Sequence, residues 1–139
     1  MGRKYGSLPW RIGVQDPLAP TGVSMGELLI EDETVVTSGS YEQYFDQDGV
    51  RYHHILDPRS GKPAATGLLG VTVIGGCSMD MDALSTAAFV LGIEKGARLL
   101  QRLNVQAVFI DTDHNVYVTN ELQDKFSLSG KQARQERSA

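Results

Sequence analysis

Leu68-Leu69-Gly70-Val71-Thr72-Val73-Ile74-Gly75-Gly76-Cys77-Ser78-Met79-Asp80-Met81-Asp82-Ala83-Leu84-Ser85-Thr86-Ala87-Ala88 is the stretch in which the hydrophobic period changes from that of a strand to that of a helix. Residues 68–74 are apolar and β-branched and are bounded by glycines, which predicts a buried strand. Gly75-Gly76-Cys77-Ser78 turns the chain. Over 80–91, Leu84, Ala87, Ala88 and Leu91 recur at helical spacing until Gly92 stops the run. A second helix is expected over 93–103, with Ala97, Leu100 and Leu103 on its inner side, so that two consecutive helices form one layer.

Working outward, Trp10-Arg11-Ile12-Gly13-Val14-Gln15-Asp16-Pro17 reads as a short strand entering a Pro/Gly-rich loop that ends near Gly26. Further strands are expected over 27–30 and 34–37. Residues 41–45 and 50–56 flank Asp46-Gln47-Asp48-Gly49, and an Asp-Gly pair between β-prone segments is a hairpin signal. That hairpin puts His53 and His54 on its return strand. Residues 106–110 and 116–119 flank a second polar turn, Asp111-Thr112-Asp113-His114-Asn115. The sum is an α+β domain, a mostly antiparallel sheet with two helices packed on it. The domain is expected to span 1–126; residues 127–139 are polar, without an apolar face, and are expected to form a mobile tail.

A chain of 139 residues, 41% hydrophobic and 22% charged, has the size of one domain with a real core. Its net charge of -4 gives no basic surface for nucleic acid, so a nucleotide here would be a small ligand. Cys77 is the only cysteine, which excludes an internal disulfide and a cysteine-based zinc site. No apolar run reaches the length of a membrane span, and Met1-Gly2-Arg3-Lys4-Tyr5-Gly6 leads into no signal-peptide core, so compartment stays unassigned.

Asp82 and Thr86 lie one helical turn apart on one face. A carboxylate and a hydroxyl are hard oxygen ligands of the kind magnesium takes when it shares its other positions with water and substrate phosphates. An acidic helix start explains Asp80 or Asp82 equally, and on spacing alone it is the stronger reading because such starts are common. His53 and His54 are adjacent in a strand and so point to opposite faces. Asp57-Pro58-Arg59-Ser60-Gly61 has the chemistry of a tight turn and also of a backbone surface aimed at a ligand. Thr37-Ser38-Gly39-Ser40 is a small hydroxyl-rich corner suited to a phosphate or ribose. Asp111, Asp113 and Asn115 alternate as in a calcium loop, but no glycine stands at the sixth position, and a polar turn accounts for them.

Thr37-Ser38-Gly39-Ser40-Tyr41, Tyr52-His53-His54-Ile55-Leu56-Asp57-Pro58-Arg59-Ser60-Gly61-Lys62-Pro63 and Asp82-Ala83-Leu84-Ser85-Thr86-Ala87 stand in an order and spacing that resembles the ApbE family of FAD:protein FMN transferases, first tied to thiamine biosynthesis. The resemblance runs from about Trp10 to Leu122 and implies a T-fold-like half. It implies magnesium-dependent transfer of the FMN moiety of FAD to a threonine hydroxyl of an acceptor flavoprotein, with release of AMP. It further implies that Asp82 and Thr86 are side-chain ligands of Mg2+, and that His54 is the general base. By the same resemblance, Thr37, Ser38 and Gly39, with Ile55, Leu56, Asp57 and Pro58, contact FAD largely through backbone.

Members of that family are longer. Their amino-terminal half supplies flavin-stacking residues, a glycine-rich segment and a backbone ligand to the metal, so this chain is expected to correspond to the carboxy-terminal half. Relatives are often exported lipoproteins, although no lipobox is visible here. Two other readings stand beside the enzyme: an FAD- or nucleotide-binding module without transferase activity, and a structural half that needs a second copy or a separate amino-terminal half, since a domain cut from a larger sheet exposes edges and apolar surface.

Overall fold

The computed structural model describes residues 2, 4–6, 8–129 and 135–137, the last three by their backbone. Strands β1 (Trp10–Gln15), β2 (Ser24–Ile30) and β9 (Phe126–Leu128) form an antiparallel sheet in the order β1-β2-β9. A second sheet runs β10 (Gln135–Arg137), β8 (Val116–Val118), β7 (Gln106–Asp111), β6 (Leu68–Gly75) and β3 (Thr34–Gly39); its pairs are antiparallel except β10 with β8. β4 (Tyr44–Gln47) and β5 (Val50–His53) make a separate hairpin. Among the described residues a single α-helix, α1 (Ser78–Arg102), packs on β3, β6 and β7.

Strands β6 and β7 at the middle of this sheet are buried on both faces, and strand alternation sorts the side chains around them. Val71 and Val73 of β6, with Ala107 and Phe109 of β7, meet Ala88, Phe89 and Leu100 of α1. Ile74, Val108, Ile110, Val116 and Val118 face the other way, onto Leu28 and Ile30 of β2 and Phe126 of β9. This two-sided burial is why residues 68–74 read as a continuous apolar run rather than an alternating one.

The expected pair of helices is not found: one 25-residue helix spans both segments. Gly92 is its only non-helical residue, with φ 79° and ψ 173°, a conformation essentially confined to glycine. A break of one residue bends the helix without a connecting loop, so the glycine that predicts a stop produces a kink instead. The bend is sharp, because a Cβ on Gly96 would lie 2.8 Å from the Ala88 carbonyl oxygen. In a straight helix eight residues span about 12 Å. Thr66 braces the bend by donating its hydroxyl to the Phe89 carbonyl at 2.8 Å.

Smaller differences concern boundaries. β2 begins at Ser24, ahead of the expected loop end near Gly26. The hairpin strands lie over 44–47 and 50–53, so β5 ends at His53 and His54 lies just beyond it. Of the expected tail, Ser127 and Leu128 belong to β9, whereas 130–134, 138 and 139 lie outside the described residues. The polar turn after β7 is held by Asp111, whose carboxylate accepts from the Asp113 and Asn115 amides, the Asn115 side chain and the Tyr117 hydroxyl at 2.8 to 3.0 Å. Burial pushes the Asp111 carboxyl up, but these donors together hold it below the usual carboxylate range.

Candidate functional site

β3 and the first turns of α1 bring two of the sequence segments together. Ser38 Oγ lies 2.8 Å from Ser85 Oγ and 3.0 Å from Thr86 Oγ1. Ser85 donates to the Asp82 carbonyl at 2.9 Å, and Thr86 Oγ1 is 3.3 Å from the same oxygen. Ser38 is 8% exposed and Ser85 0%, whereas Asp82 and Thr86 are exposed. The buried hydroxyls therefore floor a surface on which a carboxylate and a hydroxyl stand one turn apart.

The helix begins at Ser78 with Cys77 as its N-cap, whose side chain makes no capping bond. Asp80 is the acidic residue of the first turn, and Asp82 lies beyond the cap. A capping role thus does not account for Asp82. Its carboxylate and the Thr86 hydroxyl are hard donors that fit Mg2+, and with only two side-chain oxygens they leave room for phosphate and water. Among the described residues no group of three or more His, Cys, Asp or Glu gathers to complete a shell.

Thr37 is placed differently. Its hydroxyl bonds Thr72 Oγ1 at 2.8 Å across the β3–β6 pair, and it sits one residue from Ser38, so it occupies the sheet face opposite the hydroxyl cluster. Gly39 is required by packing, because any Cβ there would run into the Tyr41 ring. Burial, and then the Glu42 carboxylate, push the Tyr41 hydroxyl up to about 12.

The two histidines diverge as their adjacency predicts. His53 turns inward: Nε2 lies 3.2 Å from the Ala64 carbonyl oxygen, and the ring sits edge-on to Phe89 at 5.7 Å. Its Nδ1 is buried without a partner. Burial lowers the pKa of His53, the Ala64 contact opposes this, and neighbouring His54 adds to the lowering. His54 is exposed, with Nδ1 3.2 Å from the Gln43 carbonyl oxygen. A carbonyl only accepts, so the neutral His54 ring carries its proton on Nδ1 and keeps the Nε2 lone pair for another donor.

The segment after His54 is anchored by Ile55, which is buried against the helix side of the core. Leu56 pairs with Pro63, and the Asp57 carbonyl accepts from Ser60 and Gly61 to close the turn. The Asp57 carboxylate is taken up by the Arg59 side chain and amide, which hold it below the usual carboxylate range. Asp57 and Pro58 therefore offer a ligand their turn backbone rather than a free carboxylate. A groove of about 670 Å³, lined by Ser40, Tyr52, His53, Pro63, Ala64 and Thr66 among others, runs beside β5.

Two features escape the sequence reading: the buried serine Ser85 and the His53 groove. The first had a signal, since Ser85 is adjacent to Thr86 and one buried hydroxyl at a helix–strand contact needs another. The groove depends on how far 63–69 diverges from β5, which no local pattern encodes.

The sequence profile of the ApbE family matches residues 1–109. The chain belongs to the ApbE family. It is 45% identical over 119 residues to the FAD:protein FMN transferase of Klebsiella pneumoniae (strain 342), covering 85% of this chain and 38% of that protein. It is 41% identical over 134 residues to that of Treponema pallidum, covering 90% and 37%. Among solved structures, the ApbE protein of Thermotoga maritima superposes with a TM-score of 0.81 at 36% identity, over 89% of this chain and 40% of that one. The flavin transferase ApbE of Vibrio cholerae gives 0.72 at 30%, over 89% and 40%. The ApbE fold thus extends over most of this chain, which spans about two fifths of the length of these relatives.

Proposed function

We propose that this chain supplies the base and the side-chain metal ligands of an FAD:protein FMN transferase. The observation that carries the reading is the 3.0 Å contact between Ser38 and Thr86, which joins the hydroxyl-rich corner of β3 to the Asp82 and Thr86 face of α1. His54 Nε2 takes the proton of the acceptor threonine hydroxyl. The freed oxygen forms a bond to the phosphorus of the FMN moiety, and the bond from that phosphorus to the bridging oxygen breaks, releasing AMP. Asp82 and Thr86 would hold Mg2+, which when bound would offset the charge of the pyrophosphate. The backbone of the β3 corner, Thr37 to Gly39, and the turn backbone from Ile55 to Pro58 position FAD, while the Thr37 side chain is turned to the opposite face of the sheet.

The relatives named as FAD:protein FMN transferases support this reading. It is tested by following AMP release and acceptor mass when FAD, Mg2+ and a threonine-containing acceptor are mixed with the chain and with His54→Ala. Transfer that survives in His54→Ala removes the base assignment.

A second reading is favoured by the β4–β5 hairpin, on which Tyr44, Phe45, Val50 and Tyr52 are all exposed and Phe45 stacks on Tyr52 at 5.2 Å. Such an apolar ribbon suits a half that associates with a second copy or with a separate amino-terminal half. A monomer at all concentrations in sedimentation would remove it. Neither reading involves a membrane span, and among the described residues no helix is long and apolar enough to cross a bilayer.

A further inference from the structure

We propose that Ser38 and Ser85 are positioning residues that set the direction of the Thr86 hydroxyl, turning its proton inward and its lone pairs toward the Asp82 side. The proposal rests on the reading of Asp82 and Thr86 as metal ligands and adds the side-chain hydroxyls of Ser38 and Ser85 behind them.

The direction follows from counting protons. Each hydroxyl has one proton to give and two lone pairs to receive with. The Asp82 carbonyl can only accept, so in the 2.9 Å contact Ser85 is the donor. Having given its proton, Ser85 must accept in its 2.8 Å contact with Ser38. Ser38 has then given its own proton, and in the 3.0 Å contact with Thr86 it must accept. Thr86 is therefore the donor, and the chain runs from Thr86 to Ser38 to Ser85 to the Asp82 carbonyl.

Three protons serve four contacts, so one contact goes without: the relay leaves out the longest, Thr86 to the Asp82 carbonyl at 3.3 Å, whereas sending the Thr86 proton to that carbonyl leaves out one of the contacts at 2.8 to 3.0 Å. Where the contact left out is Ser38 to Thr86, the two oxygens face each other at 3.0 Å with no proton between them, a repulsive contact in a part-buried place. Burial keeps water from its inner side, since Ser38 is 8% exposed and Ser85 behind it 0%. A fully satisfied network in low dielectric reinforces its own direction.

The consequence is chemical. A cation binds oxygen lone pairs and is repelled by an O–H pointed at it. With the proton turned to the interior, the exposed side of Thr86 presents lone pairs only, on the helix face it shares with Asp82. Groups behind a ligand that fix its orientation change metal affinity by about 10 to 100-fold when removed. Ser38 and Ser85 stand behind Thr86 in that sense.

The test is Mn2+ binding to the chain, read from the loss of the free-ion EPR signal, so that it does not depend on turnover. Asp82→Asn and Thr86→Val are expected to abolish the site, and Ser38→Ala and Ser85→Ala to weaken it about tenfold or more. Ser38→Thr keeps a hydroxyl at the same place and is expected to bind near the level of the unaltered chain, which separates orientation from general damage to the fold. If Asp82→Asn and Thr86→Val lose Mn2+ while Ser38→Ala and Ser85→Ala bind normally, the relay is wrong and the metal site stands. Mn2+ binding insensitive to Asp82, or absent from the unaltered chain, overturns the metal site and the relay with it.

Discussion

The Gln43 carbonyl oxygen faces His54 twice, accepting its backbone amide at 3.2 Å and standing 3.2 Å from its ring Nδ1. The amide bond continues the β4–β5 ladder one residue past the strand end, and the ring contact fixes the tautomer. Replacing this imidazole removes a proton acceptor already oriented for its task, and general-base contributions are typically about 10²–10⁴-fold. His54→Ala is expected to lower flavin transfer by that order while FAD binding is retained. Loss of FAD binding and transfer in equal measure would assign His54 to binding instead.

Asp82 and Thr86 are exposed, and substitutions at exposed positions usually change stability by no more than about 0.5 kcal/mol. Asp82→Asn is therefore expected to melt like the unaltered chain, Thr86→Val to be less stable by about 1 kcal/mol because Ser38 loses a donor, and both to lose Mg2+-dependent AMP release. A variant that keeps the same Mg2+ dependence would show that its side chain is not a ligand.

The lowered pKa of His53 links to stability with a definite sign. Burial favours the neutral ring in the folded state, so as pH falls below the ordinary value of 6.5 the unfolded chain binds the proton first. The contribution is fully present above about 6.5, is lost as pH falls toward the folded-state value, and levels off below it. Thermal melts across this window should show a destabilisation on acidification that His53→Gln flattens. An unchanged pH slope in His53→Gln would mean that another group is responsible.

Gly92 carries the bend of α1, and its φ of 79° and ψ of 173° strain any side chain. A Cβ there would meet the Thr66 Cβ at an ordinary contact distance of 3.6 Å, so the cost is one of backbone conformation. Gly92→Ala is expected to cost about 1–3 kcal/mol in urea denaturation, the cost of holding a non-glycine residue in such a region. No shift in midpoint would mean that the bend relaxes freely.

Much of this fold is legible because its elements carry their own periodicity. The β6 run, the Asp48-Gly49 hairpin and the polar turn after β7 each hold a local signal that the tertiary structure reinforces. The helical layer is legible except for its continuity and part of its inner side, where Leu91 and Leu103, expected to pack inward, are exposed. A glycine inside a helical pattern marks a stop or a kink alike, and here Thr66, from outside the local sequence, braces the kink that brings Ala88 close to Gly96.

For the candidate site, spacing gave Asp82 and Thr86 a shared face but could not separate a ligand from a cap. The helix start at Ser78 removes the capping role for Asp82. The partnership of Ser38 with Ser85 joins positions 47 residues apart and depends on how β3 lies against α1, so no local reading reaches it. Strand alternation could have warned that Thr37 and Ser38 do not serve one face.

The most direct test of the central claim is simultaneous measurement of AMP and of acceptor mass after the chain is mixed with FAD, Mg2+ and a threonine-containing acceptor. The account predicts AMP released in step with an FMN adduct on threonine, with both lost on chelation of Mg2+ and both lost in Asp82→Asn. No AMP and no adduct at saturating FAD, or an adduct that forms equally in Asp82→Asn, would contradict it.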